Sequence, residues 1–113
     1  MYQPSKQLFS FHVSGFQYWD GALAIGGMKI GDQIELRPEF DNPHDANAIA
    51  LYSGSFKLGY VSACMNETLA TMLFYGHSDV FEVRVLQVNL DADPWKQLRV
   101  GIFITDARDE SAA

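Results

Sequence analysis

The stretch AIALYSGSFKLGYV, residues 48–61, decides how this chain is read. Ala48 to Tyr52 is a short apolar run of strand character, Ser53-Gly54-Ser55 is turn chemistry, and Phe56 to Val61 is a second run. Two such runs joined by a glycine-containing turn make a β-hairpin. Gly59, inside the second run, weakens that strand and marks a place where another backbone can approach closely. Upstream, Gln33 to Arg37 sets Ile34 and Leu36 against polar neighbours until Pro38, which cannot donate to a ladder, ends the strand. Gln7 to Phe16 alternates Phe9, Phe11 and Val13 with Ser10, His12 and Ser14, the period of a half-buried strand, and Gly15 closes it. Between these two strands, Tyr18 and Trp19 stand beside the turn dipeptide Asp20-Gly21, and Ala22 to Met28 has room for one short helical turn.

Downstream of the hairpin, Met65, Leu69, Met72 and Leu73 recur at helical spacing. They predict one helix from Ser62 or Asn66 to Tyr75, with Gly76 as its stop. Val80 to Leu90 is a long strand whose buried face switches near Val85 and Leu86, as at a bulge. Leu98, Val100, Ile102 and Ile104 form the last alternating strand. Short strands around one amphipathic helix, without strand-helix-strand repetition, predict a mainly β protein, a small closed or partly open β-barrel. Its expected core is Phe9, Phe11, Val13, Ile34, Leu36, Ile49, Val83, Val100 and Ile102 on strands, with Leu69 and Leu73 on the helix.

Composition narrows the classes. The chain has 113 residues, 48% hydrophobic and 19% charged, which fits one globular domain. Fourteen acidic residues against eight basic ones leave a net charge of −6, which excludes a polybasic nucleic-acid binder but leaves room for a site of a few positioned groups. Cys64 is the one cysteine, so there is no intramolecular disulfide and no cysteine cluster for zinc, and a reducing cytoplasm is the simplest compartment. Met1 to Lys6 lacks the character of a signal peptide, and no apolar run approaches the ~20 residues of a membrane span, so no membrane partner is expected.

Catalytic and metal chemistry find little footing. In Asp41-Asn42-Pro43-His44-Asp45-Ala46-Asn47-Ala48 the Asx side chains favour a rigid turn that bonds its own backbone. A calcium loop fails there, because its third position is Pro43, its sixth is Ala46 and its twelfth is Tyr52. Zinc through His44 and Asp45 would need His12 or His77, whose spacing does not favour convergence. Cys64 near the helix start could be an activated thiol, but its ordinary reading is a small buried hydrophobe. No glycine-rich phosphate loop occurs, so neither a metal nor another cofactor is expected, and no enzyme. The aromatics Tyr18, Trp19, Tyr60 and Trp95 say more. They fall at strand ends or loops, where a ring either joins the core or is left open for stacking. Trp95, after Pro94, either pins its acidic loop or offers a platform.

Three blocks then stand out: Val13-Ser-Gly-Phe-Gln-Tyr-Trp-Asp-Gly21, Asp41-Asn-Pro-His-Asp-Ala-Asn-Ala-Ile49, and Leu58-Gly-Tyr-Val61 before the helix. In order and spacing they closely resemble the HIRAN domain, over Leu8 to Ile104. HIRAN domains occur fused to SNF2-type DNA-dependent ATPases that remodel forks, and this chain looks like a stand-alone bacterial or phage copy. The resemblance implies an OB-like six-stranded β-barrel with one or two short α-helices. The HIRAN-like domain is placed over 7–105, after an N-terminal extension over 1–6, while residues 106–113 lack apolar periodicity and read as a solvated, disordered tail. The resemblance also implies a non-catalytic, DNA-repair-related module that grips the 3′ end of single-stranded DNA, with a DNA-processing enzyme as a further partner.

Carried over by position, the resemblance makes Tyr18 a base-stacking residue and Asp45 the acceptor for the 3′-hydroxyl. A carboxylate suits that role, since it only accepts hydrogen bonds and it repels a terminal phosphate. His44 stands where a fork-remodelling member has a tyrosine, Trp95 aligns with a stacking aromatic, and Tyr60 replaces a histidine near the DNA backbone. Gln17 takes the place of an arginine, which removes one charge-assisted contact. With Gln17 and the −6 balance, the alternative is a protein-interaction or adaptor domain of the same fold with weak or no DNA affinity.

Overall fold

The alternating runs form six antiparallel strands: β1 Ser5–His12, β2 Gln33–Pro38, β3 Ile49–Ser53, β4 Phe56–Tyr60, β5 Phe81–Val88 and β6 Leu98–Thr105. The computed structural model describes residues 5–108. The strands lie in the order β1-β6-β5-β2-β3-β4 in one sheet. This sheet curls until its two edges meet: beyond the end of β1, Ser14 and Tyr60 exchange two backbone hydrogen bonds of 2.9 Å. The result is the expected OB-like curl, with the edges joined by one residue pair rather than a full ladder.

That meeting depends on Gly59. Its φ of +147° lies where side-chain-bearing residues are strained, and a Cβ there would fall 2.4 Å from the Ser14 carbonyl oxygen and 2.7 Å from Val13 Cγ1. The bulge expected in β5 is also present. The register with β6 slips between Val85 and Gln87, so Leu86 is the extra residue, and its side chain lies over Gly101 on the neighbouring strand.

Two helices complete the domain: α1, Gly21–Ala24, continued by a 3₁₀ turn at Ile25–Gly27, and α2, Asn66–Phe74. Gly76, at φ +90°, stops α2 and returns its N–H to the Leu73 carbonyl. No helix among the described residues is long and apolar enough to cross a membrane. Ser5 and Lys6 of the N-terminal extension already belong to β1. Residues 1–4 and 109–113, with most of the extension and the end of the tail, lie outside the described residues.

Most of the expected core is enclosed: Phe11, Val13, Ile34, Ile49, Leu69, Val83, Val100 and Ile102 are buried, joined by Phe16, Leu51, Leu58, Val85 and Leu98. Phe9, Leu36 and Leu73 are corrections, only half-buried at the margin of that core. Leu73 stands in the last turn of α2 beside an open hollow shared with Leu36 and Phe81, so solvent reaches it from one side. Leu73→Ala is therefore expected to cost about 1–2 kcal/mol, below the roughly 2–5 of a fully enclosed leucine. Urea unfolding checks it, with Leu69→Ala as the enclosed comparison.

Candidate functional site

The loop between β2 and β3 folds on its own side chains. Asn42 Oδ1 accepts the backbone N–H of His44 at 2.8 Å and of Asp45 at 3.1 Å, and Asp45 Oδ1 accepts that of Asn47 at 2.9 Å. The turn leaves Asp45 Oδ2 to accept Asn66 Nδ2 at 2.8 Å. Asn66 is the first residue of α2 and buried, so this bond pins the helix start to the loop. The Asn66 amide, a side chain with the chemistry of a helix cap, is instead spent across the fold.

A second cluster forms on β4. Lys57 Nζ lies 2.9 Å from Glu39 Oε2 and donates to Tyr60 Oη at 2.7 Å, while Tyr60 Oη donates to Glu39 Oε1 at 2.9 Å and Asn42 Nδ2 to the same oxygen at 3.1 Å. The Lys57 ammonium also sits 3.7 Å from the Trp19 ring centroid, and Trp19 meets Tyr60 edge-on at 5.9 Å. Trp19 is held there by its neighbour: Asp20 N–H donates to the Lys57 carbonyl at 2.8 Å, and the Asp20 carboxylate accepts Lys57 N–H at 3.2 Å.

Partial burial pushes the Glu39 carboxyl up, but the hydrogen bonds from Lys57, Asn42 and Tyr60 outweigh it and hold the group below its ordinary 4.5. Burial likewise opposes the Lys57 charge, and Tyr60 and Glu39 overcome it to raise that group. A carboxyl depressed in the fold stabilises it above the unfolded value and loses that contribution as pH falls through the folded value. Glu39→Gln is thus expected to be less stable by about 1 kcal/mol at neutral pH. The gap to wild type closes as pH falls below 4.5, which paired urea titrations across that range measure.

Loop and cluster face one pocket of about 330 Å³, bounded by Ser14, Trp19, Asn42, His44, Asp45, Tyr60 and Asn66, with the apolar Ala48, Val61 and Ala63. That volume lies in the range of ligand sites. A larger hollow of about 480 Å³ lies where the two ends of the described chain meet and has no aromatic wall. The 330 Å³ pocket offers ring surface, hydrogen-bond acceptors and the amides of Asn42 and Asn66, and the ammonium behind its Trp19 and Tyr60 walls, that of Lys57, is paired with Glu39. Such a lining suits a planar group with a hydroxyl.

Of the residues singled out from sequence, His44, Asp45 and Tyr60 come together on this pocket. Gln17, Tyr18 and Trp95 are not on its lining. Phe16–Tyr18 is a 3₁₀ turn in which Phe16 takes the core, so Gln17 and Tyr18 point outward. Trp95 lies on the turn Pro94–Lys96, and the two turns pack against each other. Tyr18 and Trp95, 77% and 54% exposed, therefore make a separate aromatic ledge, linked in the chain to the pocket through Trp19. Sequence reasoning missed Trp19 as a wall, and Glu39 and Asn66 altogether. Cys64 is a further correction: it is exposed on the turn before α2, with Sγ 3.1 Å from Ser62 Oγ.

The HIRAN domain family model matches residues 6–105. A crystal structure of a protein from Lactobacillus plantarum is similar at TM-score 0.67 and 26% identity, over 88% of this chain and 94% of that one. The crystal structure of the HIRAN domain of human HLTF is similar at TM-score 0.59 over 91% of this chain and 82% of that one, and at 17% identity the likeness is one of fold. No curated protein matches.

Proposed function

This chain belongs to the HIRAN family of DNA-binding domains, and we propose that it is a non-catalytic module that recognises the 3′-hydroxyl end of single-stranded DNA. The observation that supports this reading is the gathering of His44, Asp45 and Tyr60 on one pocket walled by Trp19. In this reading the terminal nucleotide enters the pocket and Asp45 accepts the hydroxyl. Both carboxylate oxygens already hold one hydrogen bond each, so the group is oriented in advance and has lone pairs left for the ligand. Preceding bases stack on the exposed rings of Tyr18 and Trp95. Gln17, on the same turn as Tyr18, contributes a neutral hydrogen bond. We place the module in the cytoplasm, beside a DNA-processing enzyme that supplies or consumes such ends in repair.

Binding titrations with a 3′ overhang, a 5′ overhang and a blunt duplex, each ending in hydroxyl or phosphate, test the assignment. The 3′ overhang ending in hydroxyl is expected to bind best, and equal binding of hydroxyl and phosphate ends contradicts end recognition. Tyr18→Ala and Trp95→Ala are each expected to weaken all single strands by about 1–3 kcal/mol with end preference unchanged, since every base offers a π-face.

A second reading, an adaptor domain, is favoured by the exposed rings of Phe40, Phe74 and Tyr75, which stack edge-on at 5.2 and 5.1 Å. A folded protein that binds none of the oligonucleotides moves the assignment there.

A further inference from the structure

We propose that Lys96 and Arg99, with His12 beside them, form a phosphate-binding strip that carries the DNA backbone past the Tyr18–Trp95 ledge. The inference rests on the single-strand reading above and adds a path to it. In the register of β1 and β6, Phe11 opposite Val100 is buried, so the next pair, His12 opposite Arg99, projects from the outer face of the sheet. Arg99 Nη2 donates to Ser10 Oγ at 2.9 Å, which holds the guanidinium along that face with donors to spare. Lys96 is exposed on the turn that also carries Trp95, and that turn packs against the one carrying Tyr18. A strand whose bases stack on the two rings thus runs its phosphates beside these cations.

Of the cations that no ion pair among the described residues involves, Lys6, Lys29, Lys96 and Arg99, the last two lie on or next to the turn that carries Trp95. Arg37, Lys57, Arg84 and Arg108 are each committed to a carboxylate, at 2.8, 2.9, 3.2 and 2.7 Å. No ion pair among the described residues involves Lys96 or Arg99. Asp91 and Asp93 precede Lys96 on the same loop, yet the charges felt at His12 are positive: after burial, Arg99 and Lys96 hold its imidazole below the ordinary value. A chain of net charge −6 thereby keeps a local positive field beside the exposed rings of Tyr18 and Trp95, where a polyanion with bases to stack gains from both.

Salt titrations of a 12-nucleotide oligothymidylate ending in a 3′-hydroxyl test the strip, on wild type, Lys96→Gln, Lys96→Gln with Arg99→Gln, and Lys29→Gln as a distant control. Each neutralised phosphate adds about −0.7 to the slope of log affinity against log salt, so wild type is expected near −1.4. The double variant is expected to lose most of that slope and about tenfold in affinity at low salt, Lys96→Gln about half, and Lys29→Gln nothing. Retained preference for hydroxyl over phosphate ends in the double variant reports that the pocket is intact. Wild-type slope and affinity in both strip variants overturn the strip and leave end recognition standing, as does an equal loss in Lys29→Gln. Failure of wild type to bind any single strand overturns the underlying reading and the strip with it.

Discussion

Gly59→Ala is expected to cost more than about 4 kcal/mol, enough to leave a domain of this size largely unfolded. Two penalties coincide at this residue. A φ of +147° is one that L-residues rarely adopt, and the added Cβ would lie 2.4 Å from the Ser14 carbonyl oxygen, an atom of the main chain that cannot swing aside. Relief requires Ser14 and Tyr60 to part, which undoes the meeting of the sheet edges. Gly54→Asn is the matched control. Gly54 also has positive φ, at +60°, but a Cβ there meets nothing within 4 Å, and asparagine tolerates that region. Urea unfolding should place Gly54→Asn within about 1 kcal/mol of wild type. A Gly59→Ala protein of similar stability would mean that the edges do not close on each other.

Asp45→Ala is expected to act on binding and stability at once. Loss of the acceptor removes a charge-assisted hydrogen bond to the terminal hydroxyl and the repulsion of a terminal phosphate, about tenfold to a hundredfold in end discrimination. It also strands the buried Asn66 amide, which costs about 1–3 kcal/mol of folding free energy. Asp45→Asn separates the two. Its carbonyl oxygen can still accept from the buried Asn66 but no longer from the Asn47 N–H as well, so only part of the stability is lost, while the charge that repels a phosphate is gone. Titrations with hydroxyl-ended and phosphate-ended strands, alongside urea curves of both variants, decide it. Unchanged discrimination in a folded Asp45→Ala protein would exclude Asp45 from end recognition.

The parts legible in the sequence are those fixed by neighbours in the chain. The hairpin at 48–61, the stop at Pro38, the bulge at Leu86 and the Asx turn before Ala48 all follow from side-chain alternation or from residues that bond their own backbone. The helix start was less legible, because Asn66 has the chemistry of a cap and its partner, Asp45, lies 21 positions away. The Lys57–Glu39–Tyr60 cluster is invisible to any local period, since it joins β4 to a residue 18 positions upstream of Lys57. The choice between Tyr18 and Trp19 as pocket wall was decided by a 3₁₀ turn, where a three-residue repeat replaces the strand alternation expected up to Phe16. Leu73 kept the helical period but lost its cover, because burial at a helix end depends on what lies opposite.

The seam where the sheet edges meet has a thermodynamic consequence for the pocket. It is held by the Ser14–Tyr60 pair and the Asp20–Lys57 pair, whereas β5 and β6 share a ladder of seven paired positions. Trp19 reaches the pocket from one side of this seam and Tyr60 from the other. A ligand seated between them bridges the line along which the sheet opens most easily, so occupancy and closure are coupled by mass action. A ligand there would act as a missing rung, and amide hydrogen exchange along the seam is expected to slow when the pocket is filled.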